Sequence, residues 1–150
     1  MAANTGKTNA RFIRVFLDNS AGAAKDISAS VSDVSGVGLD FNTQDVTAYS
    51  DGVVNFTLGH PSSEIDISGP FNNVATTGGH VVFSAISHAP YSQASYTLTV
   101  QIGIRKVPES TDPEWEGEYL VTSYIVNGDG TYAAHLVPAT SAVPAWGTMA

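Results

Sequence analysis

Residues 96–104 alternate without interruption: Tyr96, Leu98, Val100, Ile102 and Ile104 fall on one side, and Thr97, Thr99 and Gln101 on the other. A period of two is what a strand with one buried face requires, because successive side chains point to opposite faces of a sheet. The pattern recurs in short runs. Residues 11–18 place Ile13, Val15 and Leu17 opposite Phe12, Arg14 and Phe16. Residues 53–58 group Val54, Phe56 and Leu58, and residues 64–68 turn Ile65 and Ile67 inward with Glu64 and Asp66 outward. Residues 26–34 alternate weakly. Residues 118–126 are apolar on both faces, which predicts a strand covered on both sides. Asn127-Gly128-Asp129-Gly130 then signals a hairpin, because Asn and Gly tolerate positive φ. Residues 131–137 form its return strand, which Pro138 limits to an edge or a bulge.

One segment breaks the alternation. Within 76–88, Val82 and Ile86 are spaced for a helix, with Thr76 or Thr77 as its cap. Residues 1–10 read as a flexible arm, 105–117 as an acidic loop, and 36–52 as a long hairpin or a mobile loop. The predicted class is mainly β: two packed antiparallel sheets, as a β-sandwich or half-barrel, with one short helix. At 150 residues this makes one domain.

Charge narrows the function. The chain carries 14 acids and 6 bases, a net charge of −8. Between Lys25 and Arg105 there is no Lys or Arg, yet that stretch holds Asp26, Asp33, Asp40, Asp45, Asp51, Glu64 and Asp66. Glu109, Asp112, Glu114, Glu116 and Glu118 follow. Gripping nucleic acid needs basic residues against phosphate, so this distribution argues against it. Charged residues total only 13%, against about 25% in typical soluble domains, which fits a surface meeting protein or one coated in Ser, Thr and Asn. There is no cysteine, hence no disulfide framework and no thiolate metal site. Residues 1–10 hold no apolar run of the signal-peptide kind, and no apolar run nears the roughly 20 residues of a membrane span. The expectation is a protein made in a cytoplasm with no membrane partner.

Motifs for catalysis are missing. There is no G-x-S-x-G, and Gly36-Val37-Gly38 lacks the third glycine of a dinucleotide loop. His60, His80, His88 and His135 form no metal-binding pair. Glu64/Asp66 and Glu114/Glu116 sit two apart, on one face of a strand each, whereas a glycosidase places its acids across the scissile bond. No catalytic residue, metal or cofactor is implied. Trp115 and Trp146 stand outside the expected strands, where each either anchors a subunit contact or packs on its own domain. Phe41, Val46 and Tyr49, in the 36–52 segment, are further subunit-contact candidates.

Two blocks resemble the major tail tube proteins of long-tailed, siphovirus-like bacteriophages. The first runs from Val46 to Ile86: Thr47, Asp51-Gly52, Phe56, a turn at Gly59-His60-Pro61, the strand Glu64-Ile65-Asp66-Ile67-Ser68-Gly69-Pro70-Phe71, then a helix at Val81-Val82-Phe83. The second is Tyr119 to Thr148, with Leu120-Val121-Thr122-Ser123-Tyr124 similar to the family's penultimate strand. Together they cover about half of the chain, in the family's order.

The resemblance implies two β-sheets with one flanking helix, and six subunits joined edge to edge into a ring around a channel. It also implies rings stacked through a long hairpin and a terminal arm. DNA would pass down the channel without specific binding, other tail and neck proteins would be partners, and the protein would reside in the virion after assembly in the host cytoplasm. On this reading Asp45, Asp51, Glu64 and Asp66 face the channel or a ring junction. Two other classes fit the same composition: a capsid decoration protein, and a β-sandwich that binds a carbohydrate or other ligand through exposed aromatics.

Overall fold

The computed structural model describes residues 8–87, 95–104, 106–139 and 143–150. Among the described residues ten strands and one α-helix follow in the order β1 (Ile13–Asp18), β2 (Ala24–Asp26), β3 (Asp33–Ser35), β4 (Asp40–Asp45), β5 (Phe56–Ser62), β6 (Ile65–Pro70), α1 (Gly79–Ile86), β7 (Tyr96–Ile102), β8 (Pro113–Val126), β9 (Thr131–Pro138) and β10 (Ala145–Thr148). The class is the expected one: mainly β, two antiparallel sheets and one helix. The large sheet runs β2-β1-β7-β8-β9-β6-β3, with β10 also paired to β8; the small sheet is β4-β5.

The large sheet curls. Its end strands β2 and β3 are joined by residues 27–32, a segment with a 3-10 turn at Ser28–Ser30. That segment is tied to both sides of the opening: the Ile27 N–H donates to the Val15 carbonyl (3.0 Å) and the Ser32 N–H to the Ser68 carbonyl (2.9 Å). The inward faces of the strands contribute Val15, Leu17, Ile65, Ile67, Leu98, Val100, Trp115, Tyr119, Val121, Tyr132 and Leu136 to one buried cluster. Helix α1 plugs it with Val82, Phe83 and Ile86, and Phe83 stacks on Tyr124 at 5.2 Å.

Several expectations need correction. The run 26–34 is not one strand, because Asp26 Oδ1 accepts the Ser28 N–H (2.9 Å) and turns the chain into the bridging segment. Thr76 and Thr77 do not cap the helix. Thr76 sits at φ 67°, the N-cap is Gly78 without a side-chain bond, and the buried hydroxyl of Ser30 accepts the Gly79 N–H at 2.8 Å. His88 lies outside the described residues, as do residues 1–7 of the expected arm; Thr8 already bonds the Gly103 carbonyl (2.6 Å).

The acidic loop 105–117 is shorter than expected, since β8 begins at Pro113. Pro113, Trp115, Gly117 and Tyr119 alternate there with Glu114, Glu116 and Glu118, a strand pattern that the leading proline disguises. Trp115 therefore lies inside a strand and is fully buried in its own subunit, so it is withdrawn as a subunit-contact candidate. β8 is also not covered on both faces: a register shift between Val121 and Ser123 curls its end, leaving Ile125 and Val126 exposed.

Candidate assembly surface

β3-β4 and β5-β6 form one long hairpin. Its base belongs to the large sheet through Asp33↔Ser68, Val34↔Ile67 and Ser35↔Asp66. Beyond that base the chain departs from the sheet, and β4 pairs with β5 from Asp40↔Ser62 to Asp45↔Phe56. The departure is fixed by two contacts. Gly36, at φ 83°, passes so close to the Glu64 carbonyl that a Cβ would collide with it. The buried Ser63 hydroxyl is bonded to Tyr119 Oη at 2.7 Å, and the Trp115 indole N–H donates to the same phenol at 2.9 Å. The root is thereby pinned to the core while the rest of the hairpin projects.

The projecting part is apolar and, among the described residues, uncovered. Leu39, Phe41, Val46, Tyr49, Val53, Val54, Phe56 and Leu58 are all exposed, Tyr49 completely. An exposed apolar patch of this extent is uncommon on a chain that works alone. Its loop is nonetheless well organised. The Thr47 N–H donates to Asp45 Oδ1 (2.9 Å), the Thr47 hydroxyl bridges the Asn55 carbonyl and N–H (3.2 and 2.8 Å), and Asp51 Oδ2 accepts the Ala48 N–H (2.8 Å). These bonds hold both carboxyls below the usual Asp range: Thr47's side chain and then its N–H act on Asp45, and the Ala48 N–H and then the Asn55 side chain act on Asp51.

The four acidic candidates thus separate into two places. Asp45 and Asp51 are at the hairpin's far end. Glu64 and Asp66 are at its root, eight residues of extended chain from Phe56 to Glu64, or about 26 Å, away. At the root His135 of β9 faces both acids, with Nδ1 2.7 Å from Asp66 Oδ1 and Nε2 3.4 Å from Glu64 Oε1. The Asp66 hydrogen bond, followed by its charge and the Glu64 contact, raises the His135 pKa above its ordinary value; partial burial opposes this.

Register places further acids on the outward face of the large sheet. One row crosses five strands as Asp26, Phe16, Thr99, Glu116 and Ala145; the next includes Arg14, Gln101, Glu114 and Gly147; Thr97 and Glu118 begin a third. Gln101 Nε2 donates to Glu114 (3.0 Å), and Glu118 accepts from Ser95 (3.2 Å) and Thr97. Glu114, Glu116 and Glu118 were not among the sequence candidates, although the alternation in 113–119 carries the signal. Of the other contact candidates, Phe41, Val46 and Tyr49 lie on the projecting hairpin. Trp146 is 51% exposed on β10, with its ring edge-on to Trp115 at 5.1 Å. Among the described residues no group of three or more His, Asp or Glu side chains is placed to hold a metal, and no helix is long and apolar enough to cross a membrane.

No protein-family model matches the sequence, and no curated protein matches it. Solved structures match it in fold. The chain superposes on one from the tail of an empty gene transfer agent particle, refined with C6 symmetry, at TM-score 0.64 and 17% identity, covering 95% of this chain and 98% of that chain. A chain of the native gene transfer agent virion gives TM-score 0.62 at 18% identity with the same coverage. A chain from the extended sheath-tube complex of an extracellular contractile injection system gives 0.58 at 12%, covering 99% of this chain and 96% of that chain. At these identities the likeness is one of fold.

Proposed function

We propose that this chain is a structural, non-enzymatic subunit of a particle tail, and specifically the tail tube protein of a long-tailed bacteriophage or a kindred particle. Six copies form a ring, rings stack into a tube, and DNA passes through it. The observation that carries the reading is the projecting hairpin: an apolar arm pinned at its root and covered by nothing among the described residues. The tail and tube assemblies that share the fold supply its setting, one of them with C6 symmetry.

The outward acidic face gives a wall that DNA does not stick to. Six copies at −8 each carry a formal −48, and carboxylates near phosphate repel it at short range. In this arrangement Glu64, Asp66, Glu114, Glu116 and Glu118 face the channel, while Asp45 and Asp51 belong to the ring junction. The other tail and neck proteins are its remaining partners, and the virion tail is its destination after assembly in the host cytoplasm.

Negative-stain microscopy of concentrated protein tests the reading. Hollow tubes of uniform width are expected. A chain that stays monomeric at every concentration and salt, or that coats empty capsid shells without forming tubes, overturns it.

A further inference from the structure

The hairpin joins the large sheet through a break in its own ladder. Ser35↔Asp66 is the last pair at its base and Asp40↔Ser62 the first beyond it. Residues 36–39 of one leg and 63–65 of the other are therefore not paired with each other, and both legs line an open cleft of about 340 Å³ there. Such a break is a hinge unless side chains hold it.

Two adjacent residues of the second leg clamp it from opposite faces. Ser63 points into the core, where its hydroxyl and that of Tyr119 bond at 2.7 Å. Glu64 points outward, where its Oε1 lies 3.4 Å from Nε2 of His135 on β9. The same imidazole has Nδ1 2.7 Å from Asp66 Oδ1. The inner clamp is a bond between hydroxyls. The outer one depends on a proton. A neutral imidazole carries one N–H and can donate to one carboxylate only, whereas here both ring nitrogens face carboxylate oxygens. Only the imidazolium satisfies both. On losing a proton the ring keeps the shorter bond, to Asp66, and turns a lone pair toward Glu64, which is released.

We infer that His135, Glu64 and Asp66 form a proton-operated clamp on the hairpin's hinge, closed across both carboxylates when the imidazole is charged and open at Glu64 when it is neutral. The inference rests on the geometry of the root and not on the tube reading. The charged groups that face His135 are all acidic. β6 presents Asp66, the root presents Glu64, and β3 presents Asp33, two residues along from Ser35, the partner of Asp66. β8 presents Ser123, and Asp40 lines the cleft beside Glu64. Residues 26–104 hold no Lys or Arg to compete for these acids. The Asp66 hydrogen bond raises the His135 pKa, with burial opposing and the charges of both acids adding to the rise. The clamp is thus closed below the ordinary His value and opens as pH rises through the raised one. An arm held in one position loses less freedom on meeting a partner, so the clamp favours association at the lower pH.

The cysteine-free chain allows two spin labels, at Val54→Cys on the arm and Ala24→Cys on β2, both exposed positions. Their separation is measured by pulsed electron resonance in the full chain, below the concentration at which it assembles. The ratio of held to released arm is expected to fall about two- to fivefold from pH 6 to pH 9, the size of an exposed ion pair. Glu64→Gln should abolish this dependence, because an amide can donate to the neutral nitrogen or accept from the charged ring. His135→Gln should abolish it as well. Nitrogen NMR of the imidazole gives an independent reading, in which Nε2 is expected to deprotonate while Nδ1 keeps its proton. Distances that ignore pH, a pH dependence that survives both substitutions, or a ring that loses the Nδ1 proton first would each overturn the clamp and leave the tube reading standing.

Discussion

Replacing Tyr119 with Phe removes one oxygen and tests how the hairpin root is held. The ring remains, so no cavity of consequence opens. What is lost is the shared partner of two buried groups: the Trp115 indole N–H (2.9 Å) and the Ser63 hydroxyl (2.7 Å), on side chains of 0% and 2% exposure. A buried donor stripped of its acceptor costs about 1–3 kcal/mol. The indole cannot turn to another partner, whereas the serine hydroxyl can rotate, so the sum falls near 3 kcal/mol. Folded domains hold only about 5–15 kcal/mol in total, and for a chain of this size each kcal/mol moves Tm by roughly 2–4 °C. Tyr119→Phe should therefore lower Tm by about 6–12 °C and shift the urea midpoint without changing its slope. Ser63→Ala should cost less, because the phenol still accepts from Trp115, and the double variant should cost less than the two changes added. A Tyr119→Phe loss below about 0.5 kcal/mol would refute the claim that this triad pins the root.

Reversing charge on the outward face of β8, Glu114→Lys with Glu116→Lys and Glu118→Lys, should leave the fold intact and make assembled tubes retain DNA in a salt-dependent way; unchanged DNA exclusion in a filter-retention assay would remove those residues from the channel wall. Gly36→Ala should destabilise by about 2 kcal/mol or more, since it adds a collision with the Glu64 carbonyl to a left-handed backbone cost of about 1–2 kcal/mol, while Gly22→Ala, at φ 81° in open space, should show the backbone cost alone in the same denaturation assay. His135 has a raised pKa, so its ion pairs stabilise the folded chain fully below the ordinary His value and are lost as pH rises through the raised one. The stability difference between wild type and His135→Asn, about 0.5 kcal/mol for such an exposed cluster, should shrink between pH 6 and pH 9; a difference that grows with pH would contradict the assignment.

The strands read at 96–104 and 64–68, which fold as Tyr96–Ile102 and Ile65–Pro70, the Asn-Gly-Asp-Gly turn and the outward Glu64 and Asp66 were legible in the residues alone. A period of two is a local property that each segment writes for itself, and turn residues act over two or three positions. Even Trp115 and its neighbouring glutamates obeyed the rule, although Pro113 hid it.

What no local pattern contained was pairing. The helix obtains its N-terminal acceptor from Ser30, 49 residues earlier; His135 meets Asp66 across 69; Ser63 reaches Tyr119 across 56. Residues 36–52 read as a long hairpin or a mobile loop and 53–58 as a separate alternating run; that Val54, Phe56 and Leu58 belong to the same exposed arm as Phe41, Val46 and Tyr49 shows only once the described residues are seen to close a core without them. Whether an apolar residue is interior or interface depends on what else fills the space around it, and that is settled only when the whole chain has packed.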